Sequence, residues 1–312
     1  MNVTRATDGK ANLHIWRTGE SYFQQKSAAF LKEWTNLKFS ALPHPEGGAI
    51  QHFDIRRPLP FAEDTFDSVY ALHIIEHLTP EEGREFVAEV FRVLRPGGIF
   101  RVSTPDLEGI VRAYLERLDE CARQPTKQTT VRYDWAVLEL LDQMVRDRSG
   151  GLMRETVKQG YYDTDYSRER YGDVFDEFYR RPSPGCHEPV RKTLLERVSS
   201  KSPVEFFRAI GRRLKGKIFG WLPRGKSRPL EEDPRKTRES NLWTYDQLSL
   251  RLLLEDRGFK RFSVKTYSDS DIVGWERYDF DRSNHGDHAV EPSLYAEASA
   301  DKEAASQDQR RR

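Results

Sequence analysis

The sequence predicts an α/β fold built on a mostly parallel sheet, with an antiparallel hairpin at its C-terminal end and a helical insertion. Three observations predict it. "FDSVYALHI" (66–74) is a nearly continuous apolar run of β-branched and aromatic residues, as a strand covered on both faces requires. "LTPEEGREFVAEVFRVLRPGG" (78–98) follows with both start and stop signals of a helix. "IFRVSTP" (99–105) and "LEGIVRAYLERLDECAR" (107–123) then repeat the pair, and strand, helix, strand, helix in this rhythm means parallel strands with helical crossovers.

Each element has its own signal. "LHIW" (13–16) is short, apolar and flanked by polar residues, which suits a strand. "SYFQQKSAAFLKEW" (21–34) places Tyr22, Phe23, Ala29, Phe30 and Trp34 at roughly helical spacing. "NLKFS" (36–40) and "AIQHFD" (49–54) read as the second and third strands, separated by the loop "PHPEGG". In the 78–98 segment Thr79 is a good N-cap, Pro80 suits the first helical position, and Glu82 completes a Thr-x-x-Glu capping box. Phe86, Val87, Val90, Phe91 and Leu94 form one apolar stripe, and Pro96-Gly97-Gly98 stops the helix.

From 124 to 240 the rhythm breaks. "VRYDWAVLELLDQMVRD" (131–147) reads as a helix, and "GYYDTDYSRERYGDVFDEFYRR" (160–181) is rich in tyrosine and charge, with no strand pattern. A mainly helical insertion over the sheet is expected. Order returns with "NLWTYDQLSLRLLLEDRGF" (241–259), where Asp246 caps a leucine-rich helix and Gly258 ends it. "FSVKTY" (262–267) and "SLYAEAS" (293–299) are expected to pair antiparallel. Residues 1–123 and 241–299 thus form two parts of one domain, 124–240 the insertion, and 300–312 a disordered tail.

Composition narrows the function. Hydrophobic residues make up 37% and charged residues 32%, which is polar, but the apolar residues cluster in periodic blocks that can form a core. A net charge of +1 gives no global attraction to nucleic acid, so no nucleic-acid partner is expected. Cys121 and Cys186 lie far apart, which suits free thiols in a reducing compartment better than a disulfide framework. The N-terminus lacks the apolar core of a signal peptide, and no run approaches the ~20 apolar residues needed to cross a bilayer. A cytoplasmic protein is expected.

"HIIEH" (73–77) has the H-x-x-E-H spacing of one class of zinc peptidases. That site needs a helix, where residues four apart face one metal. Here the helix signals begin only at Thr79, His73 ends a strand, and no third ligand stands out downstream, so no metal site is expected. A bland reading makes the histidines local hydrogen-bonding residues of a loop. Position gives a third reading. Ligands bind beyond the carboxyl ends of strands in an open parallel sheet, and both "HIIEHL" and "DIRRPLPF" lie at such ends.

The segment "FDIRRPLPFAEDTFDSVYALHIIEHLTPEEGREFVAEVFRVLRPGGIFRVSTPD" (53–106) resembles the class I S-adenosylmethionine-dependent methyltransferases, whose Rossmann-like sheet ends in an antiparallel hairpin. It looks most like their bacterial type 11 branch. The carrying motifs are Asp54, "PLPF" (58–61), "FDSVYALHIIEHL" (66–78) and "VLRPGGIFRVSTPD" (93–106), and the resemblance extends over roughly 11–122 and 241–299. It implies S-adenosylmethionine as cofactor and a methyl-transfer activity. It implies that Asp54 meets the adenine amine with Ile55 beside the ring, and that the backbone at Ala71 and Leu72 faces the methionine portion. His73 and His77 would then border the transfer site, either as structural residues or as a general base toward a hydroxyl acceptor.

The chain departs from the family at its first loop. Aligned from the first strand, the glycine positions hold Trp16, Arg17 and Thr18, and Gly19 alone remains; Thr18 and Gly19 are the cofactor-loop candidates. The second-strand acidic residue is replaced by Lys38 and Ser40. Two readings follow: a methyltransferase with an altered cofactor loop, or a non-catalytic relative that keeps the scaffold as a binding module.

The insertion adds two features. "KSPVEFFRAIGRRLKGKIFGWLPRGKSR" (201–228) is basic, with Phe206, Phe207, Ile210, Leu214, Ile218, Trp221 and Leu222 near one helical stripe. It is either a helix packed on the domain or a peripheral membrane contact. Tyr161, Tyr162, Tyr166, Tyr171 and Tyr179 are core residues or the wall of an acceptor site. The acceptor is expected to be a small molecule or a glycan, and similarity to branches linked with surface-glycan synthesis suggests a lipid-linked sugar.

Overall fold

The computed structural model describes residues 9–16, 33–40, 51–175, 234, 237–278 and 292–302. Seven strands form one sheet: β1 (Asn12–Trp16), β2 (Thr35–Phe39), β3 (Gln51–Phe53), β4 (Phe66–Leu72), β5 (Leu94–Pro105), β6 (Phe259–Lys265) and β7 (Ser293–Ala300), in the order β3-β2-β1-β4-β5-β7-β6. Strands β1 to β5 pair in parallel. β7 inserts antiparallel between β5 and β6. This is the expected parallel sheet with its antiparallel C-terminal hairpin. The helix expected over 21–34 lies outside the described residues except for its last two.

The first helix, α1 (Pro80–Val93), begins where the capping box placed it. Thr79 accepts from the Glu82 amide, and the Glu82 carboxylate accepts from the Thr79 amide. It ends one residue earlier than the apolar stripe suggested. Leu94 is extended and pairs with Phe66 across a bulge, so β5 already includes the Arg-Pro-Gly-Gly turn. The residue before a proline resists helical geometry, and Arg95 precedes Pro96.

α2 (Leu107–Arg123) follows β5 as expected, and the insertion carries α3 (Lys127–Val145), α4 (Gly151–Lys158) and α5 (Thr164–Val174). α3 starts four residues before the periodic pattern does, because Thr126 and Thr129 cap it reciprocally. α4 starts where Asp142 of α3 accepts from the amides of Leu152 at 2.6 Å and Met153 at 3.3 Å. Gly151 permits that approach: it has φ +56°, and a Cβ there would collide with the Asp142 carboxylate. Trp135, Met153, Val157, Tyr166, Tyr171 and Phe175 form a separate small core. The basic 201–228 segment and Tyr179 lie outside the described residues.

The last helix, α6 (Gln247–Asp256), is capped by Asp246, which accepts from the Ser249 amide at 2.7 Å. Gly258, at φ +96°, turns the chain into β6. The sheet separates two environments. Leu13, Ile15, Val69, Ala71, Phe100 and Val102 face the stripes of α1 and α6. Their sequence neighbours on the other face, Trp16, Tyr70 and Leu72, pack with Trp34, Ile272, Trp275 and Tyr278. The alternation follows from the period of two along a strand. Among the described residues no helix is long and apolar enough to cross a membrane.

Candidate active site

From β1 the chain goes outward to β2 and β3, and from β4 it goes the other way to β5. The carboxyl ends of β1 and β4 therefore flank the point where strand order reverses, the place where open α/β sheets hold ligands. Register sets Trp16 beside Leu72 on one side and Lys38 on the other. Trp16 is the last residue of β1, as the "LHIW" reading expects, with its indole buried in the aromatic cluster. Arg17, Thr18 and Gly19 lie outside the described residues.

The turn after β4 is the most densely bonded part of this region. His73 has φ +47°, a left-handed conformation uncommon without glycine and concentrated at functional sites. Its amide donates to the Ser103 carbonyl at 3.1 Å, which fixes the turn to β5. Its Nδ1 lies 3.0 Å from Glu76 Oε1 and its Nε2 lies 2.9 Å from Ser293 Oγ. Thr104 Oγ1 donates to the other Glu76 oxygen at 3.4 Å. His73 and Glu76 are buried, and Ser293 is partly exposed at the start of β7.

Burial opposes ionisation of Glu76, but the charge of His73 and His77 when protonated and the hydrogen bond from His73 hold the carboxyl below its ordinary range. An ionised Glu76 can only accept, so His73 Nδ1 carries a hydrogen toward it. In a neutral imidazole Nε2 is then an acceptor for the Ser293 hydroxyl. His77 sits on a short 3₁₀ turn (Ile75–His77), buried, with Nδ1 donating to the Ser240 carbonyl at 3.4 Å. The Glu76 carbonyl accepts from the Leu242 and Trp243 amides at 2.7 and 3.2 Å, which pins the chain returning from the insertion. Among the described residues no group of three or more His, Cys, Asp or Glu side chains is arranged to hold a metal ion.

Asp54 follows β3. Arg56 donates to its two oxygens from Nε and Nη2, each at 2.7 Å. Burial raises the Asp54 pKa, but the bonds and charge of Arg56 outweigh it and hold the carboxyl below its usual range. A carboxylate has about four lone-pair directions, so Asp54 keeps room for one more donor. Its side chain is 19% exposed, and an adenine amine fits that chemistry. Ile55 is buried in the core against the helix-covered face. Ala71 and Leu72 are buried in β4, paired to Ile15 and Trp16 in β1 and to Val102 and Ser103 in β5.

Sequence reasoning missed Ser293. It lies 220 residues from His73, and nothing in "SLYAEAS" marks its first residue as more than a strand start. It missed Arg101 too. This buried arginine donates to Glu297 at 2.8 Å and to the carbonyls of Asp269 and Thr266 at 2.9 and 3.0 Å, with its guanidinium 4.3 Å from the Trp275 ring centre. The pair fastens 266–278 over the aromatic face. Tyr166 and Tyr171 are buried in the insertion's own core, and Tyr161 donates to Asp134 at 2.6 Å.

Comparison with known proteins agrees with this architecture. Residues 26–102 match the family model described as "Methyltransferase domain". A 48-residue stretch is 50% identical to a protein of Mycolicibacterium smegmatis named "Probable S-adenosylmethionine-dependent methyltransferase"; it covers 15% of this chain and 18% of that protein. Both matches fall short of the whole chain, and the strand order with its antiparallel C-terminal hairpin is that of a Rossmann-like class I methyltransferase sheet. Among solved structures, an S-adenosylmethionine-dependent methyltransferase from Thermotoga maritima aligns at 10% identity over 80% of this chain and 63% of that one, with a TM-score of 0.29. A 1,6-didemethyltoxoflavin-N1-methyltransferase of Burkholderia thailandensis, solved with S-adenosylhomocysteine, aligns at 16% identity over 30% of this chain and 45% of that one, with a TM-score of 0.23. Strand order and register define the fold.

Proposed function

We propose that the protein is a methyltransferase that uses S-adenosylmethionine and methylates a small-molecule or glycan acceptor. The observation that carries this reading is the family match over 26–102, which contains Asp54, Ile55, Ala71, Leu72, His73 and His77. Asp54 would accept from the adenine amine, Ile55 would lie beside the ring, and the backbone at Ala71 and Leu72 would face the methionine portion. Thr18 and Gly19 would complete the donor site from the first loop. Bound there, the cofactor supplies an electrophilic methyl group on a sulfonium. The chain's part is to hold the acceptor atom in line with that methyl group and to accept a proton where the acceptor loses one. A basic 201–228 segment touching an anionic membrane would suit a lipid-linked sugar.

One observation favours the second reading, a non-catalytic binding module: Arg56 already holds both oxygens of Asp54. Calorimetry separates the two. An enzyme binds S-adenosylmethionine and S-adenosylhomocysteine, and Asp54→Ala weakens both about tenfold or more, as loss of a charge-assisted hydrogen bond does. Absence of binding at millimolar cofactor by folded protein leaves the module reading. Salt-sensitive binding to anionic liposomes that is lost on deletion of 201–228 checks the membrane contact.

A further inference from the structure

The geometry points to Ser293 as a catalytic residue that takes the proton of a hydroxyl acceptor and passes its own to His73, which Glu76 orients. This deepens the methyltransferase reading and rests on it. The three side chains form one line: Ser293 Oγ is 2.9 Å from His73 Nε2, and His73 Nδ1 is 3.0 Å from Glu76 Oε1. A hydroxyl, an imidazole and a carboxylate joined in this order can move a proton toward the imidazole while the carboxylate stabilises the resulting charge.

Placement gives the line its direction. His73 and Glu76 are buried, whereas Ser293 is partly exposed, so among the three the serine meets a ligand. Ser293 opposes Pro105 at the carboxyl end of β5, and His73 follows the carboxyl end of β4. Both therefore border the side of the sheet where ligands are held. The backbone over-determines the arrangement. His73 is fixed at φ +47° by its amide bond to Ser103, and Glu76 is held by Thr104 and by the two amides on its carbonyl.

The proton balance closes. The acceptor O–H bond breaks as its oxygen gains the methyl group. That proton goes to Ser293 Oγ, the serine's own proton goes to His73 Nε2, and the sulfonium's positive charge reappears on an imidazolium beside Glu76. A neutral amine can attack without such help, whereas an alcohol is a poor nucleophile until its proton leaves. The relay therefore assigns the acceptor to the hydroxyl class.

The first test needs no acceptor. Long-range ¹H–¹⁵N spectra of the full chain labelled in histidine, taken near neutral pH, should show His73 neutral, with hydrogen on Nδ1 and none on Nε2. Ser293→Ala should shift the Nε2 signal alone, and Ser293→Thr should restore it. An imidazolium pattern, or hydrogen on Nε2, overturns the relay whether or not the cofactor binds. Calorimetry reads donor binding separately, so the two ideas fail independently. The second test offers methyl hexosides and the matching amino sugars with the donor. Transfer to the hydroxyl, with kcat falling ~100-fold and KM unchanged in Ser293→Ala, is expected of lost general-base help. Transfer to the amine, or to neither probe, overturns the assignment.

Discussion

The two faces of the sheet solve the same burial problem with different chemistry. On one face β1 presents Leu13 and Ile15 to an aliphatic layer closed by α1 and α6. On the other it presents His14 and Trp16, stacked with centroids 4.8 Å apart, to a layer of large rings around the Arg101–Glu297 pair. Aliphatic packing stabilises by area and volume and tolerates exchange among similar shapes. The aromatic face carries polar atoms that each need a partner, so it specifies one arrangement and is costly to disturb. The strands that carry it end at Trp16, Leu72 and Pro105, where the candidate site begins.

The largest break in this comparison is expected at Glu297. Glu297→Leu leaves the Arg101 guanidinium buried without its carboxylate and should cost about 4 kcal/mol in urea unfolding. The double variant Arg101→Met/Glu297→Leu should recover most of that loss. A single-variant cost near zero would show that the aromatic face is not held by charge pairing. On the aliphatic face Leu250→Ala should cost about 3 kcal/mol from lost transfer energy and a cavity under α6, without a partner variant that rescues it.

His14 sharpens the comparison through pH. Burial, opposed by a hydrogen bond with Asn36, lowers its pKa from 6.5 to about 3. The unfolded chain therefore takes up a proton below its own pKa of ~6.5 that the folded chain refuses until near the lowered value. This contribution is complete above the unfolded pKa and is lost as pH falls, at about 1 kcal/mol per pH unit. Thermal unfolding between neutral and mildly acid pH should show this slope, and His14→Phe should flatten it. The smallest effect is local. Thr79→Ala removes one cap hydrogen bond from α1 and should cost about 1 kcal/mol, with no change at the aromatic face.

What the sequence disclosed follows the same division. The α1 face was legible because a capping box and a 3.6-residue stripe are local patterns, and α1 begins at Pro80 as its signals require. The parallel sheet was legible through the linked motifs at 54–106, and the C-terminal hairpin through its alternation, whereas the strand order came from the fold. The aromatic face was not, because its pairs are distant: Arg101 meets Glu297 across 196 residues, and His73 meets Ser293 across 220. α4 was missed for the same reason, since its cap is an aspartate on another helix. At the candidate site, His73, Asp54, Ala71 and Leu72 were named from motif position, but Ser293 could be found only by the fold. The end of the first strand at Trp16 was legible from "LHIW", and the glycine positions that begin there were read from the family pattern.

Binding of S-adenosylmethionine to the full chain, measured by calorimetry on wild type and Asp54→Ala, tests the central claim most directly. Saturable one-site binding that weakens about tenfold or more in the variant is the result expected of a donor site at the ends of β1, β3 and β4. No heat of binding at millimolar cofactor, from protein whose fold is verified by its cooperative unfolding, would contradict it.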